Sequence, residues 1–390
     1  MVAPAAPRQF AALAATLLLA AAAPGCGDED NPVEVRLKEE TADQTVLGFP
    51  AVATKNTTRV GGEDAAADAG GAASAVYPGA TRGSRPRAVT LVDGDDWHGG
   101  IAAAVLGAPP LRAPILLTNG DELPRATETA LDSLRPIGAR QLGGAQALEV
   151  GSARAPDSLR ARGISRADPF SLAASIDALA TDVAGQPSQN VLIVSADDPA
   201  FAMPAAAWAA KAGDAVLFTE RGELPAATRR AIRRHEQPGI YILGPRTVVS
   251  ARVERSLQRL GRVRRIAGRG PVETAVAFAR YSNANFGWGL RDPGHGMVVA
   301  NAERTLDAAA GAILSASGKY GPLLLVEDAD VLPRPLESFL LDIQPGYRFD
   351  PVRGVYNHAW LMGDESAISV AVQARIDELS EIVRIRDEDL

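Results

Sequence analysis

The chain has 390 residues, 46% of them apolar but only 5% aromatic, and carries a formal net charge of −7. That acidic balance excludes nucleic-acid binding driven by overall charge. The scarcity of aromatic residues requires cores filled by Ala, Val, Leu and Ile, which suits layered α/β packing.

In chain order, Arg8, an apolar run from Phe10 to Ala23 and Pro24-Gly25 stand before the single cysteine, Cys26. This is the order of a basic n-region, an h-region and a small-residue cleavage site, and the h-region is too short for a membrane span of ~20 residues. The segment resembles a bacterial lipoprotein signal, which implies removal of residues 1–25, a lipid on Cys26 and an extracytoplasmic, membrane-anchored protein. An ordinary secretory signal with a leftover thiol is the alternative. Residues 26–56 open with the acidic run Gly27-Asp28-Glu29-Asp30-Asn31-Pro32 and read as a flexible tether.

From residue 57 onward strand and helix patterns alternate. The first stretch, 57–150, has an Ala-rich helix ending near Tyr77, a strand Ala88 to Val92, a small-residue helix Ile101 to Leu106, a strand Ile115 to Leu117, a helix Ala126 to Leu134 and a strand Arg140 to Leu142 that runs into Gly143-Gly144. The second, 151–261, repeats the order with a helix Ser171 to Val183, a strand Val191 to Val194, a helix Pro204 to Ala212, a strand Ala215 to Phe218, a helix Ala226 to Arg234, a strand Ile240 to Leu243 and a closing helix Val248 to Leu260. The third, 262–390, has Thr274 to Tyr281, a loop rich in Asn and Gly, Met297 to Ala300, Asp307 to Ser317, Leu323 to Val326, Leu336 to Leu341, Trp360 to Met362 and an amphipathic helix Ile368 to Val383. Leu123-Pro124, Leu224-Pro225 and Leu332-Pro333 mark a period of roughly 100 residues, so the chain reads as three divergent copies of one α/β module. Continuous apolar strands separated by helices imply parallel sheets covered on both faces. The third copy carries extra residues around Gly346 to Pro351, read as a surface insertion.

The succession Arg265-Ile266-Ala267-Gly268, Glu273-Thr274-Ala275, Asp307-Ala308-Ala309, Pro322-Leu323-Leu324-Leu325 and Leu332-Pro333 resembles the cell wall-binding repeat 2 family. The resemblance implies three Rossmann-like modules in a pseudo-threefold unit and non-covalent attachment to an anionic cell-wall polymer. The family's start signal survives unevenly. The first copy keeps Arg59, Val60, Gly62, Asp64 and Ala69 but has Asp68 where Thr belongs; the second keeps little beyond Ile164, Asp168 and Ala173; the third keeps Arg265, Ile266, Gly268, Thr274 and Ala275. The Asp of the Asp-Ala helix start survives as Asp307, with Gly99 and either Ala200 or Phe201 at the matching places.

Ligands of open parallel sheets bind beyond the carboxyl ends of the strands, so the loops after the first strands supply the candidate ligand-binding residues. These are Asp95, Asp96 and His98; Asp197 and Asp198; and Asn301, Arg304 and Asp307, joined by Arg265 of the start signal. Clustered carboxylates beside His98 could hold a cation, but Ala104 stands where a calcium loop needs Glu, and Asp before a helix commonly serves as a cap. No metal or other cofactor is expected. His235, His295 and His358 show no metal spacing. The chain has no Gly-x-Ser-x-Gly elbow, no His-Glu-x-x-His and no Gly-x-Gly-x-x-Gly after a first strand, so an enzyme is not expected. Lys38, Lys55, Lys211 and Lys319 are the only lysines, which leaves Arg to carry the positive charge. Arg229, Arg230, Arg233 and Arg234 share one helix, and Arg252, Arg255, Arg259 and Arg262 recur at helical spacing, as solvated faces or as polymer contacts. The eroded start signals leave a second reading open, a lipid-anchored scaffold or solute-binding protein that no longer binds polymer.

Overall fold

The computed structural model describes residues 53–318, 321–351 and 354–385. Cys26, the leader and most of the expected tether therefore lie outside the described residues. The described part of the tether, Ala53 to Asn56, folds against the end of the chain: Asn56 is buried, its backbone N–H donates to Asp377 Oδ1 at 2.7 Å, and Lys55 pairs with Glu381.

Three four-stranded parallel sheets carry the fold. The first contains β2 (Val89–Asp93), β3 (Ile115–Thr118), β4 (Ala147–Val150) and β5 (Ala161–Ile164), in the order β3-β2-β4-β5. The second contains β6 (Asn190–Ser195), β7 (Ala215–Thr219), β8 (Gly239–Leu243) and β9 (Arg262–Ile266), in the order β7-β6-β8-β9. The third places β1 (Thr57–Val60), from the start of the described chain, beside β13 (His358–Met362), followed by β10 (Gly296–Asn301) and β11 (Leu323–Val326). Inner strands such as β6 are buried at every residue, as sheets covered on both faces require.

The edge positions show how the copies interlock. Each start signal forms a strand in the preceding sheet, not in the sheet of its own copy: β5 pairs with β4, β9 with β8, and β1 closes the ring on β13 with Arg59 opposite Leu361 and Val60 opposite Met362. A short two-stranded sheet of β12 (Gly346–Tyr347) and β14 (Val383–Arg384) ties the insertion of the third copy to the last described residues.

Helices cover the sheets. α1 (Ala65–Val76), α4 (Pro169–Ala184) and α8 (Pro271–Arg280) follow the start strands; α2 (Trp97–Ala103), α5 (Pro199–Ala212) and α9 (Thr305–Ser315) follow the first strands; α3 (Arg125–Leu134), α6 (Ala226–Arg234) and α10 (Arg334–Asp342) follow the Leu-Pro pairs. α7 (Ala251–Leu257) and α11 (Val370–Ser380) precede β9 and the end of the chain. α2, α5 and α9 pack against one another at the centre of the ring. Small residues allow that approach: a Cβ on Gly100 would lie 2.8 Å from Leu306 Cδ2.

Two sequence expectations need correction. Arg140–Leu142 is a turn of 3-10 helix closed by Gly143 at φ 66°, and the fourth strand of the first sheet is Ala147–Val150 instead. The Gly-Gly pair looked like a strand end because both glycines punctuate the chain, yet their positive φ values mark a tight loop before the strand. The structural counterpart of Leu243-Gly244 is thus Val150-Gly151. Helix α5 also starts earlier than expected, at Pro199, and accommodates Pro204 within it.

Candidate functional site

The first-strand loops have one construction in all three copies. Asp93 Oδ1 accepts from the Asp95 N–H at 3.1 Å, Ser195 Oγ from the Asp197 N–H at 3.0 Å, and Asn301 Oδ1 from the Glu303 N–H at 3.0 Å. Each loop turns on its own first side chain and delivers the next helix with its N-terminus at the carboxyl edge of the sheet.

The loop carboxylates divide between cap, turn and solvent. Asp96 caps α2 by accepting from the Gly99 N–H at 2.8 Å. Asp198 accepts from Ser195 Oγ at 2.9 Å, and Asp95 and Asp197 are exposed. His98 lies 2.8 Å from the Ala196 carbonyl oxygen through Nε2 and stacks on Trp97, so it links the first copy to the second. Asn301 is buried and donates to the Ala367 carbonyl at 2.9 Å. Among the described residues no three His, Cys, Asp or Glu side chains converge as a metal site.

Arg265 lies in β9, where Nη1 donates to Gly244 O at 2.7 Å and Nη2 to Val249 O at 2.8 Å and Glu254 Oε2 at 2.9 Å. Arg59 occupies the same position in β1 and donates to Gly363 O at 2.9 Å, Asp364 O at 2.7 Å, Ile368 O at 2.6 Å and Gln373 Oε1 at 2.8 Å. The arginine of the start signal therefore grips the loop and helix that precede it in space, across the boundary between copies.

Three helix-start positions correspond: residues 304 and 307 in the third copy, 96 and 99 in the first, 198 and 201 in the second. The shared turn fixes this, since the positions lie three and six residues after Asn301, Asp93 and Ser195; a Cβ on the glycine after the neighbouring strand would meet Arg304 from Gly363 and Asp96 from Gly151, but in the second copy Phe201 from Gly244. In the third copy the place holds a charged cluster. Arg304 Nε donates to Asp307 Oδ2 at 2.7 Å, and its Nη2 pairs with Asp68 of α1. Both aspartates are fully buried, and Asp68 also accepts from the Gly62 N–H at 2.7 Å. Burial, then the neighbouring Asp307 carboxylate, pushes Asp68 up to about 9 against the pull of Arg304. Burial likewise raises Asp307, with Arg304 opposing. One proton kept by this pair at neutral pH also supplies a donor to Asp307 Oδ1, which otherwise has none. The cap expected of Asp307 is not made: it is the third residue of α9 and is turned toward Arg304 and Asp68, not toward the helix N–H groups. The sequence offered a signal for Asp68, a charged residue inside an otherwise small and apolar helix; for Arg59 it offered only the start signal.

Two clefts open at the carboxyl ends. One of about 440 Å³, where the third copy meets the first, is lined by Asp95, Trp97, Glu303, Arg304 and Thr305. The other, about 530 Å³, lies where the first meets the second and includes His98, Phe170, Asp197 and Arg221. The structure thus brings Asp95, Arg304 and Asp307 to one cleft and His98 and Asp197 to another, and holds Arg265 apart from both.

Comparison with known proteins bears out the resemblance read from the sequence. Residues 265–373 match the family model described as Cell wall binding domain 2 (CWB2). The fold is that of Cwp6 from Clostridium difficile (TM-score 0.66, 15% identity, covering 84% of this chain and 48% of that one) and of Cwp8 from Clostridium difficile (TM-score 0.63, 20% identity, covering 90% and 55%). The chain spans about half the length of these two proteins. No curated protein matches it.

Proposed function

We propose that the triplet is a non-catalytic wall-binding unit of a surface-exposed lipoprotein, and that an anionic wall glycopolymer contacts it at the cleft around Arg304. The observation that carries this reading is the family match over 265–373, which covers the loop and helix start that build the cleft. Arginine on the second copy supplies a further cationic surface: Arg230, Arg233, Arg252, Arg255 and Arg259 are exposed on α6, α7 and the turn after α7. The described chain begins beside the amino ends of β1 and β13, opposite the clefts. No helix among the described residues is long and apolar enough to cross a membrane.

The test is retention of the chain, from Cys26 onward, on purified wall polymer at low ionic strength, where attraction between charges is least screened. Retention that weakens with salt is expected, and no retention refutes the proposal. An Asp95→Ala/Glu303→Ala variant, which removes two negative charges from exposed positions of the cleft, is expected to strengthen retention of the anionic polymer at low salt, and unchanged retention counts against contact at this cleft. Loss in an Arg230→Ala/Arg233→Ala/Arg255→Ala variant instead moves the contact to the second copy. Cys26→Ser is expected to abolish lipid labelling; unchanged labelling removes the lipoprotein reading and leaves polymer binding to be judged separately.

A further inference from the structure

The three copies differ in what covers the outer face of their last two strands. In the third, α11 lies on β13 and β1 beside α10, and Arg375 of α11 reaches Glu337 of α10 at 2.7 Å. In the second, α7 buries Val253 and Leu257, and its Glu254 pairs with Arg265. The first has no such helix. Its strands β4 and β5 are joined by residues 151–160 alone, whereas residues 244–261 join β8 to β9. The consequence is visible on β5, where Ala161, Arg162 and Gly163 are exposed, while β1 at the same edge of the third sheet is almost wholly buried. The start-signal arginine is missing there too: Gly163 stands where Arg59 and Arg265 grip a helix and its loop. In place of the helix there is a groove of about 750 Å³ beside α3, floored by Leu123, Leu131 and Leu159 and edged by Glu128, Arg85 and Arg135. Glu128 occupies on α3 the position that Glu337 occupies on α10, fourth residue from the start of each helix.

We propose that this groove is a docking site for a short amphipathic helix of another polypeptide, presenting an apolar pair one turn apart and an arginine or lysine opposite Glu128. Two features fix the chemistry of the partner. The same place is filled by a helix in both other copies, and the acid that pairs with that helix in the third copy is retained in the first although its helix is not. An acidic side chain at the far end of the partner helix suits Arg85 and Arg135, whose guanidinium groups both donate to the Gly79 carbonyl.

A fluorescently labelled peptide of residues 366–381, which contains α11 with Arg375, is the probe, and its anisotropy is read against the full chain. Saturable binding is expected, weakened at least tenfold by Glu128→Arg in the protein and recovered when the peptide carries Arg375→Glu. Absence of saturable binding overturns the proposal. So does binding unaffected by Glu128→Arg, which means that the peptide displaces α11 in the third copy. A concentration-dependent dimer of the chain that Glu128→Arg dissolves assigns the groove to a second copy and overturns the assignment to another polypeptide.

Discussion

Two joints of the ring solve the same packing problem with opposite chemistry. Where the second copy meets the third, Trp208, Tyr241, Phe278, Phe286 and Trp288 gather; Phe286 stacks on Tyr241 at 3.5 Å between ring centroids, and Lys211 lies 4.4 Å from the Trp208 ring centroid. Where the third meets the first, the start of α9 instead holds a half-buried Arg304 against the buried Asp68 and Asp307. The residues at the position of Asp68 summarise the divergence: Thr274 at the aromatic joint, Leu172 between the first and second copies, and Asp68 at the charged one. Apolar contacts hold their strength across pH, whereas a buried carboxyl pair binds a proton and makes its joint sensitive to pH.

The largest effect should come from the aromatic joint. Phe286→Ala removes a fully buried ring and is expected to lower stability by about 3–5 kcal/mol in urea unfolding, equally at pH 8 and pH 9, above the range in which Asp214 beside Trp208 titrates. A loss that depends strongly on pH would erase the contrast. Next, Arg304→Met leaves two buried carboxyl groups without their cation and should cost about 3 kcal/mol at pH 9, but less at pH 5, where Asp68 holds its proton.

The third expectation isolates the proton. Asp68 is raised to about 9 from its usual 3.8, so its contribution is fully present below pH 3.8 and lost as pH rises toward 9. Asp214, which accepts from Trp208 Nε1 at 2.8 Å, is raised by burial only to about 6, so its contribution is lost by about pH 6. His235 is also raised, because burial, which lowers it, is outweighed by its bond and charge interaction with Asp177, and its contribution falls in the same direction as pH rises. The slope is therefore read as the difference between the wild type and Asp68→Asn from pH 6 to 9: the wild type should lose stability relative to the variant. Parallel curves would show that Asp68 does not hold a proton. The smallest effect belongs to Thr274→Val at the aromatic joint, where Thr274 Oγ1 accepts from the Gly268 N–H at 2.9 Å. It should cost about 1 kcal/mol at every pH, measured in the same unfolding series.

Much of the architecture was legible because the strands are continuous apolar runs and Leu-Pro marks each copy. The destination of the start strands was not. Nothing in Thr57–Val60 says that its partner lies in the last copy, because periodicity reports which face is buried and is silent on which neighbour buries it. The candidate loops were found through the rule for parallel sheets, but their roles were blurred for the same reason. Asp307 looked like a cap as long as Asp68, remote in sequence, was not known to face it. The missing helix of the first copy was hidden as well, since Leu142-Gly143-Gly144 imitated the strand end that lies at Val150-Gly151.

Closure by β1 has a consequence for how the chain reaches its native state. Arg59 and Gln373 are 314 positions apart and must meet before the third sheet is complete. A chain emerging from its amino end therefore makes β1 among the first of its strands and pairs it among the last. Until then, the edge of that strand and the face of α1 remain without their native neighbours, open to chaperones, proteases or another unfinished chain. The ring ties its slowest folding step to its longest loop, so a truncation after the second copy should leave β1 and α1 exposed rather than produce a shorter version of the same protein.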